Sequence, residues 1–441
     1  MYWNGHMTTG GWIISAPWTA IVIALAVALI VWLSSGLSRP DSNARARASA
    51  REILDRRLDT RRPRAIPMKR LTLIVLVLIA VSGSQAAGGL GGVKFIGSVD
   101  TMKLSKDQAS GGFTSDDAQA VDLAASMAVT HITVNTPLEY PSVMVSWANR
   151  IHNDGKHVWF RLAATGGASM PHGDSTKASG YKATSDGPPG FGPGYLTSLH
   201  SLMLANPGLV KAGDILDGDA EAENSSWWAH NYGCRVQQGC TPCPEPMTTG
   251  AFPCSPVSEF NRFLQVMTQQ ENSDLVSLGI SPCTTPTSTN CVLTQVHSTD
   301  PGTAKNQLGK ATVEAMGNLI TVDAYPDQNT TDPTTAANSW LSSLESWRNA
   351  WKAKGLTVTI LVGEWGYSNT INVSDFTQAS VVQAEVNAFA KVPYLAGTNY
   401  WVGLGRAGDG GYTQIFTHAG GSWKFRPAAP EVSSFYAAMT R

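Results

Sequence analysis

The sequence predicts an α/β protein: a single (β/α)8 TIM barrel with a Cys-rich insertion after its fourth strand, preceded by one or two membrane-spanning or signal segments. Three observations carry this. From residue 93 onward, short β-rich runs alternate with amphipathic helical patterns, as parallel βα units require. Residues 93–441 hold eight such runs, enough chain for a barrel of typical length (~250 residues) and an insertion. The first run ends Asp100-Thr101-Met102-Lys103 and lacks the Gly-rich phosphate turn of an open doubly wound sheet.

The strands read, in order, as 93–100 (VKFIGSVD), 130–136 (THITVNT), 156–163 (KHVWFRLA), 213–219 (GDILDGD), 276–281 (VSLGIS), 319–325 (LITVDAY), 357–364 (TVTILVGE) and 394–402 (YLAGTNYWV). Between them, Ser115-Asp116-Asp117 supplies capping residues for a helix over Ala118–Met127. Ser339–Lys354 puts Trp340, Leu344, Trp347 and Trp351 on one helical face, and Gly355 stops that helix. The tail reads as a hairpin over Gly411–Phe425 and a last helix over Pro430–Met439.

The formal net charge of −1 conceals an asymmetry. Residues 39–70 hold 11 Lys and Arg against 4 Asp and Glu, residues 1–38 and 71–87 hold none of these, and 88–441 is left with a net of −8. An acidic domain is a poor partner for phosphate backbones, so nucleic acid is set aside. Residues 12–37 are free of ionisable side chains and exceed the ~20 residues that cross a bilayer as a helix, so residues 1–38 are assigned a transmembrane segment. The second apolar run, Leu71–Val81, follows Met68-Lys69-Arg70 and precedes Ser82-Gly83-Ser84-Gln85-Ala86-Ala87. That is the grammar of a signal peptide cut after Ala86 or Ala87, or of a second span if uncut. The basic linker 39–70 stays cytoplasmic by the positive-inside rule, which puts the domain 88–441 outside the membrane. Ala46–Leu58 resembles the short C-terminal (SHOCT-like) helix of small bacterial membrane proteins, and Met68 reads as a natural start, so 1–67 is read as a fused upstream frame.

All six Cys lie between Cys234 and Cys291, which in an exported chain points to up to three disulfides. The run Cys234-x5-Cys240-x2-Cys243-x10-Cys254 contains only one Cys-x2-Cys pair, short of an ordinary zinc ribbon, so no metal is expected. No Ser-His-Asp set, phosphate loop or His pair with metal spacing is found, and no cofactor is expected.

Barrel enzymes carry their chemistry at the C-terminal strand ends. Acids stand there on the fourth predicted strand (Asp219-Ala220-Glu221-Ala222-Glu223), the sixth (Asp323-Ala324-Tyr325-Pro326) and the seventh (Gly363-Glu364-Trp365-Gly366). Cleaving a glycosidic bond takes two carboxyl groups, and glutamates on the fourth and seventh strands of eight can converge across the mouth.

In these motifs the chain, over about 93–430, resembles the (β/α)8 retaining glycoside hydrolases of clan A. The resemblance implies double displacement on an oligo- or polysaccharide, with Glu364 as nucleophile, Glu221 as acid/base and Glu223 as the alternative acid. It implies that Tyr325 hydrogen-bonds the nucleophile and that Trp401 floors the sugar site. Trp365 and Trp228, with Trp227, Tyr232 and Tyr367, are candidate sugar platforms by aromatic chemistry. Arg161, an ionisable group in an apolar strand, contacts a sugar or pairs with a barrel carboxylate, and Asp100 and Lys103 pair with each other or line the cleft. The clan's Asn before the acid is replaced by Ala220, which keeps open a sugar-binding barrel without catalysis; a separate reading is a structural cell-surface protein whose barrel presents the Cys-rich loop. The expected partners are a carbohydrate and, through the N-terminal segment, a membrane, with the chain monomeric.

Overall fold

The computed structural model describes residues 95–162, 192–218, 220–224, 236–239, 256–283, 290–326, 330–367, 373–405 and 413–440. The apolar runs at 12–37 and 71–81, the Ala46–Leu58 segment, Trp227, Trp228, Tyr232 and the four Cys from Cys234 to Cys254 lie outside the described residues. Among the described residues, no helix is long and apolar enough to cross a membrane.

Nine parallel strand segments form the sheet: β1 (Ile96–Asp100), β2 (His131–Val134), β3 (His157–Leu162), β4 (Ile215–Gly218), β5 (Leu293–Val296), β6 (Ser298–Thr299), β7 (Leu319–Asp323), β8 (Thr359–Trp365) and β9 (Leu395–Tyr400). Their order runs β5-β4-β3-β2-β1-β9-β8-β7-β6. Because only His297 separates β5 from β6, chain continuity joins the two ends of that order into a ring with eight strand positions. The strands are buried on both faces, so they carry nearly continuous apolar sequence.

The ring corrects one assignment. Residues 276–281, read as the fifth strand, are the end of a helix (Pro256–Ser277) and the turn after it. The fifth position is taken by Leu293–Thr299, on the far side of the Cys283–Cys291 disulfide. A short apolar run does not separate a buried strand from the last turn of a buried helix, and Val276 is in fact 64% exposed. Among the described residues one disulfide is present, Cys283–Cys291.

The helices follow from their caps and stripes. α1 (Met102–Ser105) comes directly after β1, and α2 (Ser115–Ala125) opens on a capping box in which Thr114 accepts from the Asp117 N–H and Asp117 accepts from the Thr114 N–H. α3 (Pro141–Asn153) starts on a proline, and α4 (Gly192–Ala205) and α5 (Pro256–Ser277) follow. After α6 (Pro301–Asn306) and α7 (Lys310–Ala315) comes α8 (Pro333–Ala353), which buries the expected stripe of Trp340, Leu344, Trp347 and Trp351. α9 (Asp375–Phe389), the antiparallel hairpin β10 (Phe416–Ala419) and β11 (Ser422–Phe425), and α10 (Ala429–Met439) complete the chain.

Inside the ring, Ile96, Trp159, Ile215, Leu293, Leu319 and Leu361 form a dry layer. Two residues further along their strands stand Ser98, Arg161, Asp217 and Thr321, all buried, so the interior turns polar toward the C-terminal end. Glu271 on α5, buried outside the ring, lies against Gly218, and among the described residues neither of its oxygens has a hydrogen-bond partner. Burial first, then the nearby Asp217 and Asp274, pushes its pKa well above the ordinary 4.5. The native state therefore holds a proton that the unfolded chain releases, and stability falls as pH rises from about 4.5 through the folded pKa. Each pH unit in that window costs about 1.4 kcal/mol. Glu271→Gln should remove this component, so the variant should gain on the wild type as pH rises. Parallel pH profiles in denaturant titrations of the two proteins would refute this account.

Candidate active site

The site is built from the polar end of the barrel, and its centre is Arg161 on β3. The side chain is 3% exposed and faces four carboxylates contributed by four other strands. One terminal nitrogen pairs with Glu364 Oε1, and the other donates to Asp323 Oδ2 at 2.6 Å. Asp217 lies 3.5 Å from Nε and Asp100 3.9 Å from Nη1. A guanidinium is the one side chain that can serve several carboxylates at once without losing its charge.

Glu364 reaches this centre through an irregularity in β8. Val322 on β7 pairs with Val362 in register, but Asp323 pairs with Glu364, so Gly363 is an extra residue on β8. Such a bulge breaks the two-residue alternation and re-aims the side chains after it. A Cβ at Gly363 would collide with Asp323 and with Ser298 Oγ, so any larger residue there would have to displace them. The bulge turns Glu364 inward onto Arg161 and sends Trp365 outward. Trp365 is accordingly 0% exposed, edge-on to Phe389 at 5.0 Å and to Tyr400 at 4.8 Å. It is a core residue, which corrects its reading as a sugar platform. Tyr367 is also buried, donating to the Thr330 carbonyl at 2.6 Å.

Glu364 Oε2 accepts a 2.9 Å hydrogen bond from Tyr325, just past the end of β7. Burial, with Glu364 and Asp323 beside it, holds the phenol pKa well above 10, so this hydroxyl stays a donor. Trp401 follows β9, half-buried, edge-on to Tyr325 at 5.6 Å and donating from Nε1 to Met102 Sδ at 3.3 Å. The expected nucleophile, tyrosine and tryptophan thus stand together.

Glu221 comes from the opposite side. Its backbone is left-handed (φ 57°), uncommon for a residue with a Cβ, and its N–H donates to the Ser298 carbonyl at 2.7 Å. One carboxylate oxygen each from Glu221, Asp323 and Glu364 lie within 4.8 Å of one another. Such a trio of acids could take a cation, but Arg161 already occupies the side facing Asp323 and Glu364.

Glu223, the alternative acid, is 0% exposed and accepts from the Asp300 N–H at 2.6 Å. Burial first, then Glu221, pushes its pKa well above the ordinary 4.5. Asp100 accepts from the Met102 N–H at 2.6 Å, from Asn135 at 3.1 Å and from Asn399 at 3.2 Å; burial, against the pull of Arg161, moves it up to about 6. Lys103 pairs with Asp107 at 2.9 Å instead of with Asp100.

Sequence reasoning did not single out Asp217 or Asn399. Asp217 accepts from Ser298 N and Oγ at 3.0 and 2.7 Å, and Asn399 links Asp100 to the Gly363 carbonyl. Their one sequence signal is a polar residue at an inward position of an otherwise apolar strand.

No family model and no curated protein matches this chain. Among solved structures, its neighbours are glycosidases. A Ruminococcus gnavus β-glucuronidase is 12% identical with a TM-score of 0.48, over 78% of this chain and 50% of that one. A GH113 β-mannanase from Alicyclobacillus acidocaldarius is 14% identical with a TM-score of 0.45, over 80% of this chain and 100% of that one. A Lactobacillus rhamnosus β-glucuronidase is 10% identical with a TM-score of 0.47, over 78% and 50%. The chain spans about half the length of the β-glucuronidases it matches.

Proposed function

We propose that this chain is a retaining glycoside hydrolase that cleaves O-glycosidic bonds of an oligo- or polysaccharide. The observation that carries the reading is the convergence of Glu221 and Glu364 across the barrel mouth, with carboxylate oxygens no more than 4.8 Å apart. That close approach is nearer the ~5–5.5 Å of retaining carboxyl pairs than the ~6.5–9.5 Å of inverting ones, and it supports the retaining reading.

The roles follow from the surroundings. Both Glu364 oxygens accept, one from Arg161 and one from Tyr325, an arrangement suited to an anionic nucleophile. Glu364 attacks the anomeric carbon while Glu221 gives its proton to the departing oxygen, leaving a glycosyl ester on Glu364. Glu221, now a carboxylate, takes a proton from water, whose oxygen displaces the ester and restores both groups. Trp401 offers the sugar an aromatic face beside Tyr325. Trp228 keeps its proposed place as a further platform. Proton NMR of the first-formed sugar tests the mechanism: retained anomeric configuration is expected, and inversion would exclude it.

Export belongs to the same proposal. Its supports are the signal-peptide grammar of residues 68–87 and the Cys283–Cys291 disulfide, which suits an oxidising compartment. A chain translated from Met68 should be secreted and active, with its amino terminus just after Ala86 or Ala87. Retention of that shortened chain inside the cell would show that the upstream segment is needed.

A further inference from the structure

The loop after β1 holds a second cation within the field of the candidate site. Lys106 caps α1 and is 7% exposed. α1 is tied to both sides of the candidate sugar site, through Met102 N–H to Asp100 and through Trp401 Nε1 to Met102 Sδ. Among the described residues, the Lys106 ammonium has no hydrogen bond or ion pair. The neighbouring acids are engaged elsewhere, Asp107 with Lys103 and Asp100 with Met102, Asn135 and Asn399. The charges that act on the amine are Asp107, Arg161, Glu364 and Asp100, so it stands in the field of the catalytic cluster, where burial lowers its pKa.

Lysine heads normally reach water while their stems lie on apolar surface, and a buried ammonium without a partner is costly. The acids around it do not supply that partner.

We propose that Lys106 is a specificity-determining residue that binds an anionic substituent of the substrate, which makes glycosides of uronic acids, with their ring-borne carboxylate, the preferred substrate class. This rests on the glycosidase reading of the same site. A sulfated sugar would present the same charge, so the test separates the two.

The experiment uses 4-nitrophenyl glycosides in both anomers: uronides, the matching neutral hexosides and 6-sulfated hexosides. The wild type should favour uronides in kcat/KM. Lys106→Met should lower the uronide-to-hexoside ratio by about 10–150-fold, the range of one hydrogen bond to a charged group, mainly through KM. Lys106→Arg should recover part of it. Hexosides turned over faster than uronides would overturn the proposal, as would a ratio unchanged in a Lys106→Met protein that melts like the wild type. Sulfated hexosides preferred to uronides would overturn the carboxylate assignment. If no glycoside is cleaved, the glycosidase reading fails, and calorimetry with free uronic acids and hexoses decides Lys106 separately. Uronate binding lost in Lys106→Met supports the role, and no uronate binding by the wild type ends it.

Discussion

Glu364→Ala will abolish turnover of every glycoside the wild type cleaves, including those with activated leaving groups. Without the carboxylate no glycosyl ester can form, and neither Tyr325 nor Arg161 offers a nucleophile in its place, the one being an un-ionised phenol and the other a cation. The fold should survive, because Arg161 keeps its 2.6 Å contact with Asp323 and β8 keeps its pairing with β7 and β9. Azide admitted to the vacated space would attack from the face that Glu364 used. A small amount of glycosyl azide of inverted configuration is therefore expected, detectable by NMR. Wild-type turnover in Glu364→Ala would remove Glu364 from the chemistry altogether.

Glu221→Ala should fail in a different way. A 4-nitrophenyl leaving group needs little protonation, so the first step continues and the ester on Glu364 accumulates as a burst. The second step stalls because water has lost its base. Azide needs no deprotonation; it should restore turnover and give the azide of retained configuration, opposite to the product of Glu364→Ala. On natural substrates the loss should be about 10²–10⁴-fold, the worth of general acid–base help. The competing assignment is tested alongside. Glu223 is sealed beneath the loop and bonded to the Asp300 N–H, so Glu223→Gln should be the milder change. A collapse in Glu223→Gln with normal kinetics in Glu221→Ala would transfer the role to Glu223.

Much of this arrangement is legible in the sequence because it follows from two regularities. Parallel strands buried on both faces read as apolar runs, which located seven of the eight ring positions, and the acids at their ends pointed to Glu221 and Glu364, with Tyr325 implied by the family resemblance. The failures occur where the regularity itself breaks. The fifth position carries Thr294, Gln295, His297 and Ser298 among its apolar residues, so Leu293–Thr299 lacks the signal that the helix end at 276–281 imitates. Trp365 looked like a platform because its neighbour faces the cleft, but consecutive strand residues face opposite sides, and the bulge at Gly363 gives the inward side to Glu364. Arg161 was visible as an anomaly in an apolar strand. Its partners Asp100, Asp217 and Asp323 were not assignable, because each lies on a different strand and only ring closure brings them together.

The extra residue in β8 has a consequence for anyone rebuilding this scaffold. An idealised barrel, with every strand in uninterrupted alternation, would be a sounder framework and yet a blank one. Holding β8 in strict alternation with Gly363 kept in the ladder would face Glu364 toward the helices and Trp365 into the lumen, exchanging reagent for ballast without altering a letter of the motif. Catalytic competence in this barrel is thus encoded as a local phase slip, and a transplanted glutamate pair would need to bring that slip with it.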